Sequence, residues 1–264
     1  MKRAAFLGVM VAAATWSPAA HAIRPFVTDD ARVVGDRLAQ LETWMLLDRS
    51  VLEHNVFVAF GPHRRVELTA GLLHGGVHSG VSRQYSLTGP VLQSKVLVLE
   101  AQNNAWPGLA VAGGVLPPLG VGPFTPKGWG GFGYVALTES LADETVLIHA
   151  NVGLAVGDDG PQSAQLDRGE TPRARIRTLL TTGLATQIRM VAGLHAVGEV
   201  YHGDPYDPRT DFFAVQGGAR YIFSDHVQSD FTFGTTAGKV ESEGVSRVER
   251  WATIGLRLVT SELW

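Results

Sequence analysis

Residues 211–238, DFFAVQGGARYIFSDHVQSDFTFGTTAG, decide the fold of this chain. Two runs of alternating side chains are joined by Ser224, Asp225 and His226, which favour a turn, so the stretch predicts an antiparallel hairpin. Successive side chains of a strand point to opposite faces of the sheet. One face is largely apolar, with Phe213, Val215, Ala219, Tyr221, Phe223, Val227, Phe231 and Phe233, and the other carries Gln216, Arg220, Gln228, Asp230 and Thr232.

The same alternation recurs along the chain without a helical segment between the runs. It predicts about twelve strands and an all-β fold. The predicted strands are approximately 37–48, 52–60, 65–76, 89–100, 107–117, 131–140, 145–156, 173–183, 187–201, 210–223, 227–238 and 246–258.

The two faces of these strands differ in a way that favours a membrane barrel. The apolar face has no charged residue in the clearest strands, for example Val66, Leu68, Ala70 and Leu72. The opposite face is mixed and rich in arginine, whereas the outer face of a water-soluble sandwich would be richer in Lys and Glu. An apolar face against lipid requires a sheet without open edges. The sequence therefore predicts a closed, antiparallel, up-and-down transmembrane β-barrel.

The connections between the predicted strands alternate in length. Short turns are predicted at 61–64, 142–144, 184–186 and 224–226, and longer loops at 77–88, 118–130, 157–172 and 202–209. Short periplasmic turns and long external loops are typical of outer-membrane barrels. Tyr134, Tyr221 and Phe223 are predicted near strand ends as aromatic residues at the membrane interfaces.

The first 36 residues are predicted to precede the barrel. Lys2 and Arg3, an apolar run and the small residues around Ala20 and Ala22 predict a cleaved signal peptide at 1–22. Residues 23–36 then form a periplasmic leader, which either plugs the periplasmic mouth or is disordered. The barrel itself is expected to occupy 37–264.

Composition excludes several other classes. The chain has no cysteine, so a disulfide scaffold is excluded, and its formal net charge of −3 gives no indication of nucleic-acid binding. The histidines lack metal-ligand spacing and no glycine-rich loop opens a helix. We therefore predict no metal and no cofactor.

The chain ends on Trp264, an aromatic residue after an alternating strand, which is similar to the signal read by the barrel-assembly machinery. Glu262 departs from that pattern because the position is normally apolar. With the segments QGGARYIFSDHVQSDFTFG, RLAQLETWMLLDR and GVLPPLG...GWGGFGYVALTESL, the mature chain resembles the phenol meta-pathway degradation-like family of outer-membrane barrels. The resemblance implies a transporter, with outer-membrane lipid, the assembly machinery and a small-molecule solute as partners.

The charged and polar residues of the inward face are candidates for lining the lumen and setting its selectivity. Twelve strands leave a narrow lumen. Opposed charges across it would orient polar or anionic solutes, or else would pair and hold the barrel shut. The candidates are Glu42, Glu67, Lys95, His149, Arg175, Arg177, Arg189, His195, Glu199, Arg220, Asp230 and Arg257.

The loop at 117–131, PPLGVGPFTPKGWGG, is a second candidate site. Its prolines stiffen it, and Phe124 and Trp129 could form a constriction that captures aromatic solutes or could dock the loop on the barrel rim. The weakest candidate is catalytic. His78 and Ser79 faintly resemble a lipid hydrolase, but neighbours along a strand point to opposite faces and no orienting asparagine is present.

These patterns lead to one main hypothesis and two alternatives. The main hypothesis is a passive outer-membrane channel for small solutes in a Gram-negative bacterium, and the family resemblance implies that these solutes are hydrophobic or aromatic compounds. The alternatives are a closed structural or anchoring barrel without transport, and an outer-membrane lipid hydrolase.

Overall fold

The computed structural model shows a closed antiparallel β-barrel and describes residues 26–78, 84–122, 125–126, 128–158, 176–207, 210–242 and 245–263. Twelve long strands form the wall, and the two-residue β6 pairs with β4 outside this ring. The strands are β1 (Ala39–Asp48), β2 (Val51–His63), β3 (Val66–Val77), β4 (Gln84–Leu99), β5 (Gly108–Leu116), β6 (Gly120–Val121), β7 (Gly130–Leu141), β8 (Val146–Asp158), β9 (Ile176–Val191), β10 (Leu194–His202), β11 (Phe213–Ser224), β12 (Val227–Thr236), β13 (Val240–Ser242), β14 (Val245–Arg247) and β15 (Arg250–Val259).

The ring closes where the first and last strands meet. β1 pairs with β15, with Met45 opposite Ile254, and β1 also pairs with β2. Each pair of neighbouring wall strands is antiparallel, so the predicted all-β, up-and-down barrel is confirmed. No helix among the described residues is long and apolar enough to cross a membrane.

The outer wall is apolar, as the alternation predicts. Leu68, Val152 and Leu180 are each about half exposed, at 47%, 53% and 53%. Their neighbours in sequence alternate to the inward face, where Glu67, Leu179 and Thr181 are buried in the lumen. Tyr221 and Phe223 are also exposed and form an edge-to-face pair near the end of β11. Tyr134 differs from its predicted interface position, because its place in the alternation of β7 points it into the lumen, where it is 4% exposed.

One predicted turn is in the wrong place. The sequence favoured a turn at 184–186, whereas β9 continues to Val191 and the chain reverses at Ala192 and Gly193. Gly193 has a φ of 76°, a left-handed conformation that glycine adopts without steric cost. Ala185 is instead a buried strand residue on the inward face.

The two ends of the barrel are distinct. We call the end with the turns at 64–65, 142–145, 192–193 and 225–226 the turn side, and the opposite end the loop side. The predicted strands leave 239–245 as a connection, and the loop between β12 and β15 contains the small β13–β14 hairpin, which was not predicted. The C-terminal end of the described chain lies at the turn side beside the start of β1, where Leu263 donates its backbone N–H to the carbonyl of Arg37.

The segment at 26–36 lies inside the barrel rather than beside it. Phe26, Asp30 and Val34 are 1%, 0% and 0% exposed. The sequence left a periplasmic plug and a disordered leader as alternatives, because the segment has no periodicity of its own. Its surroundings inside the lumen form the candidate functional site.

Candidate functional site

The lumen segment, residues 26–36, is held by its main chain. Glu199 accepts hydrogen bonds from the backbone N–H groups of Val27 and Thr28, each at 2.9 Å. Glu67 accepts one from Val34 at 2.9 Å. Buried polar groups need such partners, and the wall carboxylates supply them to a segment that does not pair with any strand of the sheet. The segment is therefore fixed by contacts at both of its ends.

The middle of the lumen segment is held by charge. Lys95, which is 1% exposed, lies 3.0 Å from a carboxylate oxygen of Asp29. The same ammonium group is 4.0 Å from Asp30 and 3.9 Å from Glu67. The hydroxyl of Tyr134 donates to Asp29 at 2.6 Å. One buried cation thus neutralises carboxylates from both the wall and the segment.

A second network covers the wall formed by β9 to β12. Arg220 and Asp230 face each other across β11 and β12 and form a buried ion pair. Arg220 also donates to Gln187 at 2.7 Å, and Gln187 contacts His195 at 3.1 Å. The guanidinium lies 5.7 Å from the centre of the Phe26 ring, a cation–π distance.

A third group lies where the barrel closes. Arg257 donates to Gln40 at 2.7 Å, and Gln40 donates to Glu42 at 2.8 Å. All three side chains are nearly inaccessible to solvent. The carboxylate of Glu42 and the guanidinium of Arg257 are therefore linked through one amide.

Toward the loop side the lumen becomes aromatic. The rings of Trp44 and Phe57 are 5.0 Å apart, and Tyr206 lies 5.5 Å from Phe57 and 5.0 Å from Phe132. Tyr206 belongs to the loop between β10 and β11 and reaches inward, where its hydroxyl donates to Gln93 at 2.7 Å. We call these four rings the aromatic layer.

Wall glycines make room for this layer. A methyl group added at Gly71 would lie 2.5 Å from the Phe57 ring, and one added at Gly114 would lie 2.4 Å from the Phe132 ring. Both distances are shorter than real contacts, so the rings lie directly on the backbone of the wall. This explains part of the high glycine content of the chain.

The predicted lumen residues are thus divided among several places. Glu67, Lys95 and Glu199 contact the lumen segment, and His149 contacts Thr138, whose hydroxyl accepts the N–H of Ala31. Arg177 lies at the loop-side rim with Asp211, and Arg189 lies at the turn-side rim near the carbonyls of Asp143 and Glu144. Arg175 lies outside the described residues. The arginines do not form one continuous strip, since those that are described each have a local partner.

The described residues of the other predicted sites, Trp129 and His78, are exposed. Trp129 is 69% exposed, and Phe124 lies outside the described residues. His78 follows β3 at the loop side, where its backbone N–H donates to the carbonyl of Ser50, whereas Ser79 and Trp264 lie outside the described residues. The catalytic and assembly hypotheses remain predictions. Among the described residues no group of three or more His, Cys, Asp or Glu side chains could hold a metal ion.

Sequence reasoning missed the lumen segment and the aromatic layer. Asp29 and Asp30 gave no signal, because a segment without periodicity reveals nothing about what surrounds it. Trp44 could have been found, since it shares the alternation of Glu42, a predicted lumen residue. Tyr206 could not, because loop residues carry no register.

Little space remains between the lumen segment and the wall. A cavity of about 20 Å³ is lined by Asp29, Glu42, Phe57, Lys95 and Tyr206, among others. This volume holds about one water molecule. A solute that crosses the lumen at this level must therefore displace the lumen segment or the Tyr206 loop.

Solved structures with the same fold are outer-membrane barrels. The COG4313 outer membrane channel from Pseudomonas putida F1 has a TM-score of 0.58 and 10% identity, over 84% of this chain and 94% of that chain. The NanC porin has a TM-score of 0.56 and 7% identity, over 83% and 98%. The KdgM porin, solved in complex with disordered oligogalacturonate, has a TM-score of 0.54 and 5% identity, over 83% and 98%. No protein-family model and no curated protein matches the chain.

At these identities the likeness concerns the fold. A closed sheet with an apolar outer wall satisfies its backbone hydrogen bonds in lipid without exposed edges. The wall, the closure and the outer-membrane barrels of the same fold place the chain in the outer membrane of a Gram-negative bacterium.

Proposed function

We propose that the protein is a passive outer-membrane channel for small solutes, and that the aromatic layer favours hydrophobic or aromatic ones. The contents of the lumen support this proposal. The interior is occupied by a separate segment and a loop, in addition to the side chains of the wall. A barrel wide enough to hold an extended segment is wide enough for a small solute when that segment moves.

The chemistry of the two levels supports a preference among solutes. The aromatic layer presents ring faces and edges, which bind flat apolar molecules by stacking and edge contacts. The part of the lumen on the turn side of this layer presents paired charges and main-chain hydrogen bonds, which offer few favourable contacts to an apolar solute. A solute would therefore be collected at the aromatic layer before it passes the lumen segment.

Vesicle uptake of an aromatic and a polar solute of similar size tests this preference. Tyr206→Ala removes one ring and its hydrogen bond to Gln93, so we expect aromatic uptake to fall several-fold relative to polar uptake. Trp129→Ala is the matched control, since this exposed tryptophan lies away from the layer. Equal changes in the uptake of both solutes, or an equal effect of Trp129→Ala, would contradict the proposed preference for aromatic solutes.

A closed structural barrel is the second candidate, and the paired charges favour it. Lys95, Arg220 and Arg257 each donate a hydrogen bond to an acceptor inside the barrel, so their charges are compensated without a solute. Such a barrel would remain silent in a planar bilayer even when the lumen segment is released. A channel would conduct once the lumen segment is released, and this difference separates the two candidates.

A further inference from the structure

Two histidines lie on the lipid-facing wall. His54 on β2 lies on the same face as Leu52 and Val58, which are 37% and 51% exposed, and on the opposite face from the buried Phe57. His74 on β3 shares the face of Leu72, which is 40% exposed. The two histidines are directly paired across β2 and β3. They are polar side chains in a wall that is otherwise apolar around them.

The histidines belong to a chain of hydrogen bonds. The Thr43 hydroxyl lies 2.6 Å from Nε2 of His54, and Nδ1 of His54 lies 2.8 Å from Nε2 of His74. In one of the two proton arrangements of this chain, Thr43 donates to His54 and His54 donates to His74. The N–H at Nδ1 of His74 is then directed away from its partner and can donate to a ligand.

The height of the pair matches the outer interface of the membrane. His74 is eight residues from Val66, the turn-side end of β3. At about 3.3 Å per residue and a tilt of about 40°, it lies about 20 Å above that end. The apolar band of such barrels is about 25 Å tall. The pair therefore lies near the top of the band, where lipid headgroups begin.

The charge around the pair suits an anion. The outward neighbours on β1, β3 and β4 are Met45, Leu72 and Leu87, so no carboxylate shares this face beside the histidines. Further toward the loop side, Arg49 and His78 are exposed at the rim. The ring of Tyr85 lies 6.2 Å from that of His74. Among the residues that the structure describes, an anion here would meet donors and no nearby negative group on the same face.

An apolar groove lies lower on the same strands. It has a volume of about 760 Å³ and is lined by Val58, Leu68, Ala70, Leu92, Val115 and neighbouring residues. Ala70 is four residues from His74, or about 13 Å along the strand. This distance is within half the hydrocarbon thickness of a bilayer, about 15 Å. A lipid whose headgroup contacts His74 can place a tail in the groove.

We propose that His54, His74 and this groove bind a phosphorylated lipid of the outer leaflet, with the lipid phosphate accepting a hydrogen bond from His74. Thr43 and His54 orient the imidazole of His74. The site is on the outside of the barrel and does not depend on conduction through the lumen.

Native mass spectrometry of the refolded chain tests the proposal, with phosphatidylcholine vesicles that contain either phosphatidic acid or diacylglycerol. The wild type should retain phosphatidic acid and not diacylglycerol. His74→Leu should reduce this retention by about tenfold or more, as expected for loss of a hydrogen bond to a charged group. Leucine suits a lipid-facing wall, so the variant should fold. His63→Leu, at the turn-side end of β2, should behave as the wild type.

Three results would overturn the proposal. The first is equal retention of the two lipids by the wild type. The second is unchanged retention by His74→Leu in a folded barrel, judged by its heat-dependent gel mobility. The third is displacement of the lipid by inorganic phosphate at low concentration, which would indicate a site for free phosphate. His54→Leu gives an independent check, because it removes the group that orients His74 and should weaken retention in the same direction.

Discussion

At the scale of single residues, the lumen depends on buried charges that have partners. Arg220 and Asp230 are 1% and 2% exposed, and they lie between the lumen segment and the wall. Taking two charges out of water is costly, and a close pair recovers part of that cost. Removing one partner leaves the other charge buried and unpaired.

Arg220→Ala is therefore expected to lower the free energy of unfolding by about 3–5 kcal/mol. The double variant Arg220→Met with Asp230→Leu should lose much less, because no unpaired charge remains. Denaturant unfolding of the refolded barrel, followed by tryptophan fluorescence, measures both. A double variant as unstable as the single one would mean that the pair acts through shape or through Gln187 instead of charge.

At the scale of elements, the lumen segment fits because glycines in the wall leave room for it. A methyl group added at Gly183 on β9 would lie 2.1 Å from the Thr28 hydroxyl, and one at Gly61 on β2 would lie 1.7 Å from the carbonyl oxygen of Gly35. Both distances are far below van der Waals contact. The two glycines therefore mark where the segment touches the wall at each of its ends.

Gly183→Ala should displace the first residues of the lumen segment. Since the chain has no cysteine, a single Val27→Cys can report on their exposure to a water-soluble maleimide. We expect labelling to be about tenfold faster in the Gly183→Ala background, a change equivalent to about 1.4 kcal/mol in the free energy of opening. Gly198→Ala is the matched control, since its added methyl would lie 3.7 Å from the nearest atom across the sheet, the carbonyl oxygen of Gln216. If Val27→Cys is labelled at the same rate with glycine and with alanine at position 183, Thr28 adjusts without releasing the segment.

The elements also show what the sequence could and could not predict. The period-two pattern located the wall strands and put Glu67, Lys95 and Glu199 on the inward face, because alternation along a strand is local. It placed the turn at 184–186 instead of at Gly193, since the sequence on both sides of Gly193 alternates and has no residue that strongly disfavours a strand. It could not locate the lumen segment, whose position depends on side chains from β3, β4, β7 and β10 that meet only in the closed barrel.

At the scale of the whole molecule, the barrel combines an apolar outer wall with a filled interior. Wall closure provides backbone hydrogen bonds in lipid, and the interior is filled by paired charges toward the turn side and aromatic rings toward the loop side. The lumen segment lies next to both levels, since Asp29 contacts Lys95 and also Tyr134, whose ring stacks 6.3 Å from Phe132 of the aromatic layer. A channel with this interior opens by moving the segment, whereas a structural barrel keeps it in place.

Single-channel conductance in a planar bilayer at varied salt tests this distinction most directly. The comparison is between residues 23–264 and the same chain lacking 26–34. We expect low conductance from the first and steady openings, several-fold larger, from the second, because the deletion vacates the lumen. Gly183→Ala should lie between them and provides a test if the deletion does not fold. A folded deletion variant as silent as the intact chain would contradict the channel and favour a closed structural barrel.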